Sequence, residues 1–228
     1  MPLRVDPLVR AKEALQSGKL SPEVYGKLVE KASVLAESIQ RVEKAADLSY
    51  PPYYIQPLLI LVRSTVETGT TGIYYARNVP VAVSNRLHLL VEFAAPLVLY
   101  ASRKTVLAVV AHEFTHYLEL IRRFSEQPAS SPAASTMFEA TYRDMEEAMP
   151  PQKIFGRFKS LSTLIDAKFE EGFTDEALNR RTLRNWYQQK LPVTVVRPDD
   201  NSVKIPLEAV LNADFDQAAL KRIKEIGN

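Results

Sequence analysis

The stretch Val109-Val110-Ala111-His112-Glu113-Phe114-Thr115-His116-Tyr117-Leu118 constrains the fold more than any other part of this chain. It holds an H-E-x-x-H pattern inside an apolar-periodic run. In a helix, His112 and His116 are one turn apart and project from one face, so both imidazoles can grip one tetrahedral metal ion. Glu113 sits about 100° further round, beside such an ion rather than on it. A general base for a metal-bound water belongs there. Uncharged residues precede His112 and separate the two histidines. The bland alternative is a chance pair on a solvated helix face. It fits poorly with a chain that has only three histidines, two of them spaced this way. The expectation is a largely buried helix from about Arg103 to Phe124, after an N-cap at Ser102. Val106, Leu107, Val110, Phe114, Tyr117, Leu118 and Ile121 give it a wide apolar face.

These residues resemble the signature of the zincin metallopeptidases, which are sorted by their third ligand. The extended form with a third downstream histidine is excluded, because Glu119 and Leu120 follow Leu118 and no histidine comes after. The gluzincin form takes a glutamate from a second helix, written E-x-x-x-D, and Glu171-Gly172-Phe173-Thr174-Asp175 matches it. The resemblance implies that Glu171 is the third ligand. It also implies that Asp175, one helical turn on, accepts the free ring N–H of a ligating histidine. Glu170 has Thr174 four residues on and lacks that partner. The competing reading is a solvated acidic helix face, since Glu170 and Glu176 flank the pair.

Among gluzincins the chain is similar to the soluble minigluzincins and to the catalytic domains of CAAX-prenyl and heat-shock membrane peptidases, over Pro57 to Asp175. It lacks the spanning helices of the membrane relatives. The resemblance implies an α+β, zincin-like fold: a small mixed sheet with a backing helix and the active-site helix, above a mainly helical lower half. It implies Zn2+ as cofactor and a peptide or protein as substrate. The implied chemistry is hydrolysis by a metal-activated water with Glu113 as general base, in an enzyme that is latent in the minigluzincin case. An oxyanion donor is also required, and Tyr142, Arg180 and His88 are candidates. The alternative is a non-catalytic zinc-bound protein, or an interaction module working through its N-terminal helix. The intact Glu113 speaks against a non-catalytic role.

Net charge is +2, so there is no polybasic case for nucleic acid or an anionic membrane. The chain has no cysteine, which rules out a disulfide scaffold and a thiolate metal site. Met1 to Asp6 lacks the apolar region of a secretory signal. Leu87 to Ala101, the longest apolar stretch, is interrupted by His88, Glu92 and Pro96 and falls short of a membrane span. A soluble, cytoplasmic protein is expected.

Three regions are expected: an N-terminal helical region at 1–50, a core at 51–190, and a strand-strand-helix segment at 191–228. Asp6 to Ser17 reads as a short helix. Ser21-Pro22-Glu23 starts a long one, with an N-cap, proline at the first position and an acid in the first turn. Its stripe of Val24, Leu28, Leu35, Ile39 and Val42 either packs on the domain or engages a partner. Strands are expected over Pro57 to Arg63, Ile73 to Ala76, Val81 to Val83 and Leu87 to Phe93. In the last, Leu87, Leu89, Val91 and Phe93 face the core and His88, Leu90 and Glu92 face away. Gln127 to Ser135 is a loop, either a lid or an exposed connection. Thr136 to Met149 is expected to be helical. Lys153 to Gln189 holds one or two helices that deliver Glu171 and Asp175. Leu191 to Val196 and Val203 to Leu207 read as strands. They form a hairpin remote from the metal, or the first lies in the cleft as an added strand. Asp214 to Ile226 closes the chain as a helix.

Overall fold

A computed structural model describes residues 5–63, 71–126, 148–170, 172–196 and 206–227. Glu171, Tyr142, the expected loop at 127–135 and most of the expected helix at 136–149 lie outside the described residues. The elements run α1 (Val9–Gln16), α2 (Pro22–Ala46), β1 (Tyr53–Gln56), β2 (Leu59–Arg63), β3 (Thr71–Tyr74), β4 (Ala76–Val83) and β5 (Arg86–Ala94). Then come α3 (Ala95–Tyr100), α4 (Arg103–Glu126), α5 (Pro151–Ile154), α6 (Lys159–Phe169) and α7 (Glu176–Thr182), which continues as a π-helical turn, Leu183–Tyr187. They end with β6 (Val193–Val196), α8 (Leu207–Leu211) and α9 (Gln217–Gly227).

The long helices begin where the sequence supplies caps. The Ser21 hydroxyl accepts the Val24 N–H at 3.3 Å, and Pro22 opens α2. That helix stops at Asp47, whose φ of 56° is left-handed. Its stripe of Leu28, Leu35, Ile39 and Val42 is buried inside the molecule, and the helix packs on α4. Tyr50, just past α2, donates its hydroxyl to the Val110 carbonyl at 2.9 Å and stacks on Phe114 with centroids 5.4 Å apart. These contacts fix the back of α4.

The fold is α+β, about 57% helix, with two small mixed sheets. One has the order β1-β5-β4, with β1 parallel and β4 antiparallel to β5. The other has the order β3-β2-β6, with β3 antiparallel and β6 parallel to β2. The run from β3 into β4 changes sheets at Tyr75. β1 was not expected; its Tyr-Tyr-Ile-Gln lies between Pro52 and Pro57, just after the helix stop at Tyr50-Pro51-Pro52.

The expected alternation of β5 is half right. Leu87, Leu89, Val91 and Phe93 are buried, but so are Leu90 and Glu92. The cause is position: β5 is a middle strand, and α8 packs against it. Glu92, 2% exposed, accepts from the Tyr54 hydroxyl at 2.6 Å and from Arg77 Nε at 3.1 Å. One cross-strand row thus satisfies a buried carboxylate.

β6 lies parallel to β2, and Leu207 opens a helix; residues 203–205 of the strand expected at 203–207, and the turn before it, lie outside the described residues. Trp186 is buried and donates its indole N–H to the Pro192 carbonyl at 2.8 Å. One hydrophobic core runs from Ala11 to Ile223, so the three expected regions share it. Among the described residues, no helix is long and apolar enough to cross a membrane.

Candidate metal centre

The centre is built on α4. Ser102 Oγ accepts the Thr105 N–H at 3.1 Å as its N-cap, and the helix runs unbroken past both histidines. His112 and His116 project one turn apart, and their Nε2 atoms meet at 2.9 Å. The rings lie edge to face, with centroids 4.5 Å apart. Without a metal, one Nε2–H donates to the other ring's lone pair. Burial and the neighbouring His116 hold His112 down to about 3, and burial holds His116 down to about 4. Both are therefore neutral near pH 7, as ligands must be. Two tetrahedral donors on zinc would stand roughly 3.3 Å apart, given bonds of about 2.0–2.1 Å. The observed convergence is within a few tenths of an ångström of that, so the pair fits such an ion.

Glu113 points to the sheet side of the same helix and is 7% exposed. Asn78 Nδ2 donates to its Oε2 at 2.9 Å and to its backbone carbonyl at 3.1 Å. Two acceptors facing one amide fix which end of Asn78 is nitrogen. Its Oδ1 is buried with no hydrogen-bond partner. Burial raises Glu113 to about 8, and the Asn78 bond pulls it only partly back. Asn78 is delivered by β4, and the adjacent Arg77 pins that strand through the Glu92 pair. Among the described strands, β4 has β5 as its one neighbour. Ala94 N–H donates to the Tyr75 carbonyl at 2.8 Å. By antiparallel alternation, Ala76, Asn78, Pro80 and Ala82 then turn their backbone groups outward. Pro80 thus misses its N–H on the side where no ladder bond is lost.

A cleft of about 500 Å³ opens here. His112, Glu113, His116 and Val109 form one wall, Ile73 to Ala76 another, and Phe169, Glu170, Gly172 and Phe173 a third. The Phe169 ring lies flat on His112, with centroids 3.6 Å apart and planes 13° apart. The Tyr75 hydroxyl is held between Asn179 Oδ1 at 2.8 Å and Thr182 Oγ1 at 3.1 Å. Glu119 lies on the histidine face of α4 but is engaged by Arg122 and Arg123, which outweigh the upward push of burial on its pKa.

The helical spacing expected for Glu171 and Asp175 does not occur. α6 ends at Phe169, Gly172 takes a φ of +93°, and Asp175 is the N-cap of α7. Asp175 therefore does not serve a histidine ring. Its Oδ1 accepts the Leu178 N–H at 3.0 Å, and its Oδ2 accepts from Thr105 Oγ1 and Lys168 Nζ, both at 2.9 Å. Glu171 lies outside the described residues, but the chain on both sides of it lines the cleft. Among the described residues, no three His, Asp or Glu side chains form a ligand set. Of the oxyanion candidates, Arg180 is exposed and faces Glu176 at 3.5 Å, and His88 sits on β5 opposite Val81, off the cleft. Tyr142 lies outside the described residues. β6 lines no part of the cleft.

Sequence reading missed Asn78, Tyr75, Phe169 and Phe173. For the two phenylalanines a signal existed, since they bracket Glu170-Glu171-Gly172. For Asn78 there was none, because only the register of β4 against α4 gives it a role. Comparisons with known protein families, curated proteins and solved structures find no match to this chain, so its functional reading rests on the chemistry of this cleft.

Proposed function

We propose that the chain is a zinc-dependent metallopeptidase of the gluzincin kind, with His112, His116 and Glu171 as ligands and Glu113 as general base. One observation carries the reading: two neutral imidazoles converge at 2.9 Å beside a buried carboxylate with an orienting amide, in one cleft. Glu171 is proposed because its neighbours Glu170 and Gly172 both line that cleft.

Zinc held by His112, His116 and Glu171 would supply Lewis-acid polarisation of the substrate carbonyl and acidify the attacking water. The chain's own groups do the rest. In ionised Glu113, Oε2 is occupied by Asn78, which leaves Oε1 to take the proton of the attacking water and return it to the leaving amine as the C–N bond breaks. An extended peptide adds to the edge of β4 that no described strand pairs with, bonding the backbone of Ala76 and Asn78. The unpartnered Asn78 Oδ1 accepts an N–H of the bound peptide. Of the two tyrosines in the cleft, Tyr75 has a committed hydroxyl, so Tyr74 is the proposed oxyanion donor.

The test is zinc content and proteolysis on a generic protein substrate. Wild type should hold about one zinc per chain and cleave. Glu113→Gln should hold zinc and not cleave. Glu171→Ala should lose zinc, whereas Glu170→Ala should retain it. A protein with no micromolar affinity for zinc would sink the reading.

A further inference from the structure

Lys168 is joined to Thr174 through the backbone and to Asp175 through its side chain. The Thr174 N–H donates to the Lys168 carbonyl at 2.9 Å, and Lys168 Nζ donates to Asp175 Oδ2 at 2.9 Å. The same Oδ2 accepts from Thr105 Oγ1, on the first turn of α4. Thr105 has one hydroxyl proton and gives it to Asp175, so Ser102 Oγ must donate to Thr105 across their 2.9 Å contact. The caps of α4 and α7 are thereby wired through one carboxylate. Capping α7 uses Oδ1 alone; Oδ2 is turned toward two other elements.

We infer that Asp175 is a positioning residue: with Thr105 and Lys168 it clasps this turn to α4 and so seats the Phe169 ring on His112. Thr105 is 2% exposed and its contact with Asp175 is part-buried, and a hydrogen bond to an ionised carboxylate is stronger than a neutral one. Thr105 and His112 are two helical turns apart on one face of α4. The turn is thus tied at one end to Thr105 while Phe169 lies against His112, with centroids 3.6 Å apart. Releasing the tie lets Phe169 lift and leaves His112 free to rotate. The inference takes from the proposed function only the role of His112 as a ligand, and its first readout needs no metal.

The experiment uses the full chain, metal-free and then titrated with zinc. A phenylalanine ring stacked at this distance shifts the His112 ring protons upfield in the NMR spectrum. Thr105→Val, Lys168→Met and Asp175→Asn should each move those signals downfield and weaken zinc binding about tenfold. Thr105→Ser, which keeps the hydroxyl, should restore both. Asp175→Asn keeps an acceptor for the Leu178 N–H, so a role confined to capping predicts wild-type signals in it. Unchanged His112 shifts and affinity in Lys168→Met and Thr105→Val, with only a lower melting temperature, overturn the inference. If Thr105→Val does not fold, Lys168→Met decides, because its side chain is partly exposed. A protein that binds no zinc but whose His112 signals still respond defeats the metallopeptidase reading and leaves the clasp standing.

Discussion

Glu113 carries a measurable consequence even without metal. Burial raises its folded-state pKa to about 8, so the folded protein keeps a proton that the unfolded chain releases near 4.5. That contribution is full below the unfolded value and is lost as pH rises through 8. His112 and His116 act in the opposite sense. Their folded values, about 3 and about 4, lie below the ordinary 6.5, so their contribution is present above 6.5 and is lost as pH falls. The metal-free protein should therefore be most stable near pH 6.5 as far as these groups decide it. Between 6.5 and 8 ionisation of Glu113 costs about 2 kcal/mol at roughly 1.4 kcal/mol per pH unit, and the last deprotonation of the unfolded histidines offsets part of it. Urea unfolding in chelator at both pH values should show this loss in wild type and not in Glu113→Gln. Equal losses in the two proteins would place its source elsewhere. Asn78 gives the companion prediction. Its amide is the donor that orients Glu113, so Asn78→Ala should keep zinc affinity and lower kcat by about a hundredfold, the scale of a misplaced reacting group. A variant with wild-type kcat would show that the amide does not orient the base.

The elements were legible where the sequence writes local rules. Ser21-Pro22-Glu23 and Ser102 mark the starts of α2 and α4, and the α2 stripe gives its buried face. They were illegible where neighbours overrule those rules. β5 alternates in sequence, yet Leu90 and Glu92 are buried as well and α8 packs against the strand, which the residues of β5 alone cannot reveal. Asp175 illustrates the same limit at the site: four-residue spacing places two groups together only if a helix spans them, and Gly172 breaks it. β6 is the third case. Its Val-Thr-Val-Val reads as a strand, but its parallel pairing with β2 depends on the long path between them. That pairing sets an expectation. Truncation before Leu191 removes β6, strips the edge of β2 and takes the acceptor from Trp186. The shortened protein should unfold or lose several kcal/mol, judged by circular dichroism and urea midpoint. A folded, zinc-binding, more active truncation would instead make the segment an inhibitory strand.

At the scale of the whole molecule, the centre draws on distant parts of the chain. α2 backs α4, β4 brings Asn78, and Phe169 at the end of α6 covers His112, while α9 adds Ala219 and Ile223 to the same core. Because that core runs from Ala11 to Ile223, a ligand at His112 and His116 should stabilise all of it together. The size follows from linkage: zinc at a thousand times its dissociation constant adds about 4 kcal/mol, or on the order of 10 °C in Tm for a chain of this length. Trp186, the single tryptophan, is buried beyond the cleft-lining residues and reports the C-terminal half, whereas far-UV circular dichroism reports the helices throughout. The two signals should melt together and move up together on adding zinc. His112→Ala and His116→Ala should abolish the shift, and Glu113→Gln should retain it. If zinc moves the circular dichroism transition and leaves that of Trp186 behind, the region around β6 is a separate folding unit and the shared core is not cooperative.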